Sequence, residues 1–212
     1  MTTDVKKKIR VLVVDDHFVV RMGLSSSINI EEDMIVEGEA FTGEQAIDLY
    51  RRHQPDIVLM DLKLPGISGV EATKRICAEF PSAAVVILST HDSEEDIYRS
   101  LQAGARTYLV KTATRNELIE TIRAVHAGEC PISPTVGARL AKRITRPDLT
   151  SREMDVLRLI VKGWSNKEIA TELAIATVTV KLHVSHLLVK LGVNDRTQAS
   201  AAALQRGIIR FD

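Results

Sequence analysis

The sequence predicts an α/β chain in two parts: a doubly wound five-stranded parallel sheet, then a second, smaller all-α domain. Three observations predict it. Short aliphatic runs alternate with amphipathic stretches through residues 1–127. The alternation stops at a stretch holding three prolines, and from Thr150 on only helical periodicity is present. Strands that alternate with helices build a parallel sheet covered on both faces.

The strand candidates are "IRVLVV", "MIVEGEA", "DIVLM", "AVVIL" and "RTYLV", β-branched or aliphatic runs at fairly even intervals. Between them lie "GEQAIDLYRRH", "GVEATKRICAEF" and "SEEDIYRSLQAG". Capping boxes mark helix starts at Thr42 with Gln45, Ser68 with Glu71 and Thr114 with Glu117. Five such units fill residues 1–127, a complete doubly wound domain. "CPISPTVGARLAKRITRPDL" carries no strand signal, so residues 128–148 read as a linker with a short helix around Val136–Ile144. Residues 149–212 then hold four helices. "TSREMDVLRLIVKG" opens with Thr150 and Glu153, "SNKEIATEL" opens with Ser165 and Glu168, and "TVTVKLHVSHLLVKLG" and "DRTQASAAALQRG" follow.

The 212 residues carry a net charge of zero, yet residues 1–127 hold about five excess negative charges and the rest about five excess positive ones. The acidic half suits cations and the basic half a polyanion. No apolar run approaches the ~20 residues needed to cross a bilayer, so no membrane partner is expected. The two cysteines, Cys77 and Cys130, form no CxxC pair, which predicts a reducing, cytoplasmic setting. Cys77 falls on an apolar helix face and reads as an inert buried thiol.

In an open parallel sheet, functional groups gather beyond the carboxyl ends of the strands. Asp15 and Asp16 end the first strand, Asp61 follows the third, Ser89 the fourth and Lys111 the fifth. Taken singly, Asp15 or Asp16 could equally cap the next helix. The set converges on one area. Three carboxylates there repel one another, and a hard divalent cation resolves the conflict. Such an ion leaves one carboxylate as a nucleophile able to form an acyl phosphate. Lys111 and the Ser89 hydroxyl suit the product as point charge and hydrogen-bond donor. His17 either orients the acidic pair or packs at the helix start.

"VVDDH", "LMDLKLPGISG", "ILST" and "YLVK" resemble the receiver domain, flavodoxin-like in fold, of bacterial two-component response regulators, over residues 5–127. The resemblance implies that Asp61 is the phosphoacceptor and a sensor histidine kinase the phosphate donor. It implies that Asp15, Asp16, Asp61 and the Lys63 backbone carbonyl hold Mg²⁺ (or Mn²⁺). Ser89, Tyr108 and Lys111 become the switch hydroxyl, the switch aromatic and the phosphate-pairing base. Thr112 stands where receivers commonly carry proline.

"SNKEIATELAIATVTVKLHVSHLLVKLG" reads as two helices and a tight turn, the helix-turn-helix shape whose second helix enters a DNA major groove. On that helix Val180, Val184, Leu187 and Leu191 share a core face. Val178, Leu182, Ser185 and Val189 lie opposite, an apolar set where polar residues are expected. Residues 149–207 resemble the LuxR-type module. Joined to a receiver, it defines the NarL/FixJ class of response regulators, which are transcription factors and not enzymes. A phosphohydrolase would need a second acid near Asp61, and residue 63 is lysine.

The resemblance implies double-stranded DNA and a homodimer as partners, and RNA polymerase as a further one. Lys181 and Leu182 should face base edges, and Ser165, Asn166, Lys167, Thr177, Thr179 and Lys190 should lie near phosphates. Ser185 sits on the same surface, where relatives often carry a basic residue. Ala176 replaces a frequent serine cap, which predicts a late or frayed helix start. Ala199, Ala202 and Ala203 on the last helix are expected at the dimer contact. Trp164 is expected to pack at the core or its rim.

Overall fold

The computed structural model describes residues 7–90 and 93–209. Five strands form one parallel sheet in the order β2-β1-β3-β4-β5. They are β1 (Ile9–Val14), β2 (Met34–Ala40), β3 (Ile57–Met60), β4 (Val85–Ser89) and β5 (Thr107–Val110). The central strands β3 and β4 are buried at every residue, which is why they read as unbroken aliphatic runs. Edge strand β2 alternates between buried and exposed positions. The sheet alternates with α1 (Phe18–Asn29), α2 (Gly43–His53), α3 (Gly69–Glu79), α4 (Glu94–Gln102) and α5 (Arg115–His126). Val11, Val13, Ile57, Leu59 and Val86 pack against Ile28 of α1 and Leu118, Ile119, Ile122 and Val125 of α5. On the opposite face α2 and α3 pack against each other.

The chain divides into two compact units, Met1–Asp92 with Ile97–Gly137, and Ser93–Asp96 with Ala138–Asp212. The proline-bearing stretch holds α6 (Pro134–Ile144). Four further helices follow: α7 (Ser151–Val161), α8 (Asn166–Glu172), α9 (Thr177–Leu191) and α10 (Arg196–Gln205). Full capping boxes open α5, α7 and α8. The boxes expected at Thr42 and Ser68 are half made, because Gln45 turns to the Phe41 amide and Glu71 pairs with Arg75. The α7–α10 core gathers Val156, Leu157, Ile160, Ile169, Val180, Leu187 and Leu191, with Val184 and Trp164 packed against it. Cys77 is half-buried rather than enclosed.

Candidate phosphoacceptor site and nucleic-acid interface

The acidic site follows from strand register. β1 and β3 are parallel neighbours with Val14 opposite Met60, so Asp15 and Asp61 leave the sheet side by side. The Asp61 amide donates to the Val14 carbonyl at 2.9 Å. β1 lies where the strand order reverses, at the crevice where open α/β sheets place their ligands. β4 pairs with β5 so that the Lys111 amide donates to the Ser89 carbonyl at 2.8 Å. The ends of β1, β3, β4 and β5 thus lie side by side along one rim of the sheet.

Asp61 is 4 % exposed. Its Oδ1 accepts from the Leu62 amide at 2.7 Å and its Oδ2 from Lys111 Nζ at 2.8 Å. Lys111 Nζ also lies 2.5 Å from Asp15 Oδ2. Burial pushes the Asp61 carboxyl above its ordinary range, Lys111 opposes this, and the Asp15 charge adds to it. Burial alone would lower Lys111, but the Asp15 and Asp61 carboxylates beside it outweigh that and hold the ammonium above its usual range. Lysine therefore stays charged between two acids.

Neither aspartate caps α1: the N-cap is His17, which makes no side-chain capping bond. His17 Nδ1 lies 2.8 Å from Asp16 Oδ1 and 3.3 Å from Asp15 Oδ1. It faces the acidic pair, the first of the two roles open to it. Ligand atoms of Asp15, Asp16, His17 and Asp61 all lie within 4.8 Å of one another. Asp15 Oδ2 is buried and, despite the nearby ammonium, accepts no hydrogen bond of acceptable geometry. An orphaned carboxylate oxygen among oxygen donors fits a hard dication, which takes such ligands and keeps several waters. Exposed Lys63 follows Asp61 by two residues.

Ser89 and Tyr108 are both buried in this part of the sheet. The peptide bond between Lys111 and Thr112 is trans, as are the others described. Two supporting residues carry no sequence signal. Arg21 reaches back from α1 to donate to the Asp15 carbonyl at 2.7 Å. Gly69 begins α3 so close to the strand end that an added Cβ would stand 1.8 Å from the Asp61 carbonyl oxygen.

The helical unit has the expected bend: the chain turns by 109° between α8 and α9. α9 starts at Thr177 despite Ala176, because the Thr179 and Val180 amides both donate to the Ala176 carbonyl. The late start expected from the missing hydroxyl does not occur. Val178, Leu182 and Val189 are 72 %, 54 % and 79 % exposed, and Lys181 and Ser185 are exposed with them. Ser165 and Lys167 are exposed at the start of α8, and Asn166, Thr177 and Thr179 are half-buried.

Two expectations meet local constraints. Lys190 is half-buried, and its Nζ donates to Glu153 at 2.7 Å and to the Asp148 carbonyl at 3.1 Å. Burial opposes the Glu153 charge, but Lys190 and the Thr150 amide and hydroxyl outweigh it and hold the carboxyl below its usual range. Ala199, Ala202 and Ala203 are buried inside the unit, two of them in its main cluster, so they cannot form an outward contact. α10 exposes Thr197, Ala201 and Leu204 instead.

Lys190→Ala should cost about 2 kcal/mol by leaving the buried Glu153 carboxylate without its charged donor. With its folded value depressed, Glu153 contributes stability that is complete above the ordinary carboxylate range. That contribution is lost as pH falls through the lowered value. Thermal unfolding of the variant against pH should therefore show a shallower acid limb than the parent.

The response regulator receiver domain family matches residues 11–123, and the luxR family of bacterial regulatory proteins matches residues 147–203. The response regulator protein VraR of Staphylococcus epidermidis is 40 % identical over 207 residues, covering 95 % of this chain and 99 % of that protein. The transcriptional regulatory protein LiaR of Bacillus subtilis is 38 % identical over 209 residues, with the same coverage. Among solved structures, the response regulator ChrA of a heme-sensing two-component system is 37 % identical, with a TM-score of 0.57 over 95 % of this chain and 99 % of that one.

Proposed function

The chain belongs to the response regulators that join a receiver to a LuxR-type DNA-binding domain, and on that premise we propose that Asp61 is its phosphoacceptor. Regulators of this class work with a histidine kinase and act on transcription by binding DNA. The observation that carries the assignment is a buried carboxylate set beside Asp15 by strand register, with the Lys111 ammonium bonded to its Oδ2. An Asp61 oxygen attacks the phosphorus of a phosphohistidine, the P–N bond breaks, and the imidazole nitrogen keeps the electron pair and takes a proton.

Asp15, Asp16 and Asp61, with the Lys63 backbone carbonyl, would hold Mg²⁺ or Mn²⁺. Such an ion neutralises charge on the phosphoryl oxygens. Lys111 and the Ser89 hydroxyl then pair with the phosphoryl group, and Tyr108 follows them. Each hydrogen bond to a charged group contributes ~1.5–3 kcal/mol. Two or three approach the ~5.5 kcal/mol that inverts a strongly one-sided equilibrium. The protein acts as a switch and not as a turnover phosphohydrolase, in the cytoplasm.

Residues 1–127 serve as the receiver, 128–148 as linker and 149–212 as the DNA-binding domain. Lys181 and Leu182 face base edges, Ser185 lies on the same surface, and Ser165, Asn166, Lys167, Thr177, Thr179 and Lys190 approach phosphates. A homodimer would meet through the outward side of α10, and RNA polymerase is a further partner. Treating the protein with acetyl phosphate and Mg²⁺, then measuring mass, oligomer size and selected-DNA binding together, tests the whole scheme. The expected result is one phosphoryl group, a larger species and tighter binding; a phosphorylated protein with unchanged DNA affinity contradicts it.

The apolar outer face of α9 gives a sharper expectation. Leu182 meets thymine methyl groups in the major groove. Leu182→Ala should cost about 1 kcal/mol at the affected base pair and relax preference there. Binding to selected and scrambled duplexes checks this, and an unaltered preference refutes it. Phosphate contacts still supply much of the affinity, so binding weakens with salt in both proteins.

A further inference from the structure

The receiver sheet has a second polar end. At the amino ends of its strands lies a cavity of about 400 Å³, within the size range of small-molecule sites. Tyr50 and Gln54 line it from the end of α2, Asp56 and Ser82 from the approaches to β3 and β4, and Arg106 and His126 from beside β5 and α5. Only β3, Ile57–Met60, separates Asp56 from Asp61, a reach of roughly 16 Å.

Tyr50 is 5 % exposed, with its ring tilted against Phe80 at 5.1 Å. Its hydroxyl bonds to none of the described residues, although it lines the cavity. The hydroxyl is not sealed from solvent, so it stands open as a hydrogen-bonding group to a molecule held in the cavity. The charges are uneven as well. Asp56 is committed: its Oδ2 accepts from the Arg10 amide at 2.8 Å and lies 3.4 Å from Arg10 Nε. Arg106 is exposed and its guanidinium pairs with no carboxylate of a described residue. The unspent groups are therefore one permanent cation with hydroxyl, amide and imidazole donors around it.

We infer that this cavity binds a small oxyanion, held by the Arg106 guanidinium and the Tyr50 hydroxyl, with Ser82 and Gln54 beside it. The probes are inorganic phosphate and citrate, titrated separately into the ¹⁵N-labelled full chain at constant ionic strength and without Mg²⁺. Saturable shifts are expected at the Gln54, Ser82, Arg106 and Gly128 amides, with Leu62 and Thr112 at the other end of the sheet unmoved. Which probe saturates first separates a phosphate site from a carboxylate site. Tyr50→Phe keeps the ring and Arg106→Ala changes an exposed residue, so both variants should fold; each should weaken binding about tenfold. Shifts that do not saturate, that survive unchanged in Arg106→Ala, or that gather around Asp61 instead would overturn the assignment.

Discussion

Asp61→Asn, incubated with acetyl phosphate and Mg²⁺, should gain no phosphoryl group and should bind DNA equally with and without the reagent. The substitution replaces the nucleophilic oxygen by an amide of nearly the same shape, so loss of phosphorylation should be complete. The fold should survive. Asp61 is buried beside another carboxylate, and burial raises its carboxyl above the ordinary range. A carboxyl with a raised folded value contributes stability below the ordinary range and loses it as pH rises through the raised value. Above the raised value the parent has lost that contribution, and the neutral amide has no such loss. Without metal, Asp61→Asn should therefore be as stable as the parent or more so, the gap opening as pH rises above the carboxylate range. Intact mass, DNA binding and melting against pH check the three statements together. A variant that still responds fully to acetyl phosphate would move the acceptor elsewhere.

Gly69→Ala should have the opposite profile: the acceptor is retained and its placement is lost. The new Cβ would stand 1.8 Å from the Asp61 carbonyl oxygen and 3.1 Å from Leu62 Cα, so backbone must move. The Gly69 amide also donates to the Leu62 carbonyl and its carbonyl accepts from Thr73 Oγ1, ties that spread any shift into α3. Overpacking against backbone costs about 3 kcal/mol or more. A displacement of about 1 Å at a reacting group costs on the order of a hundredfold in rate. Melting temperature and the rate of acetyl phosphate labelling should both fall. Gly23→Ala is the control, because an added Cβ there meets nothing within 4 Å and should add stability to α1. Equal behaviour of the two variants would remove Gly69 from its proposed role.

These two residues mark what the sequence can and cannot disclose. Asp61 is legible because strand ends are visible as breaks in aliphatic runs, and topology brings such ends together. Gly69 is not, because its role depends on how closely two backbones approach. The ion pair of Lys190 is hidden for a related reason: its partner Glu153 lies 37 residues away, and spacing alone ranks Lys190 as a surface charge. The α10 alanines suit a close external contact and a tight internal one equally well, and burial alone chooses the second. His17 lies between these cases, with geometry settling a choice that spacing leaves open.

The single ladder bond joining Ser89 to Lys111 has a mechanical consequence. β5 is an edge strand braced by β4 alone, so it meets less resistance to sideways travel than the inner strands. A tug on either side chain is shared through that bond, and hydroxyl and ammonium advance as a pair. Under the proposed assignment of Asp61 and Tyr108, this rim would be the compliant border through which an event at Asp61 leaves the sheet.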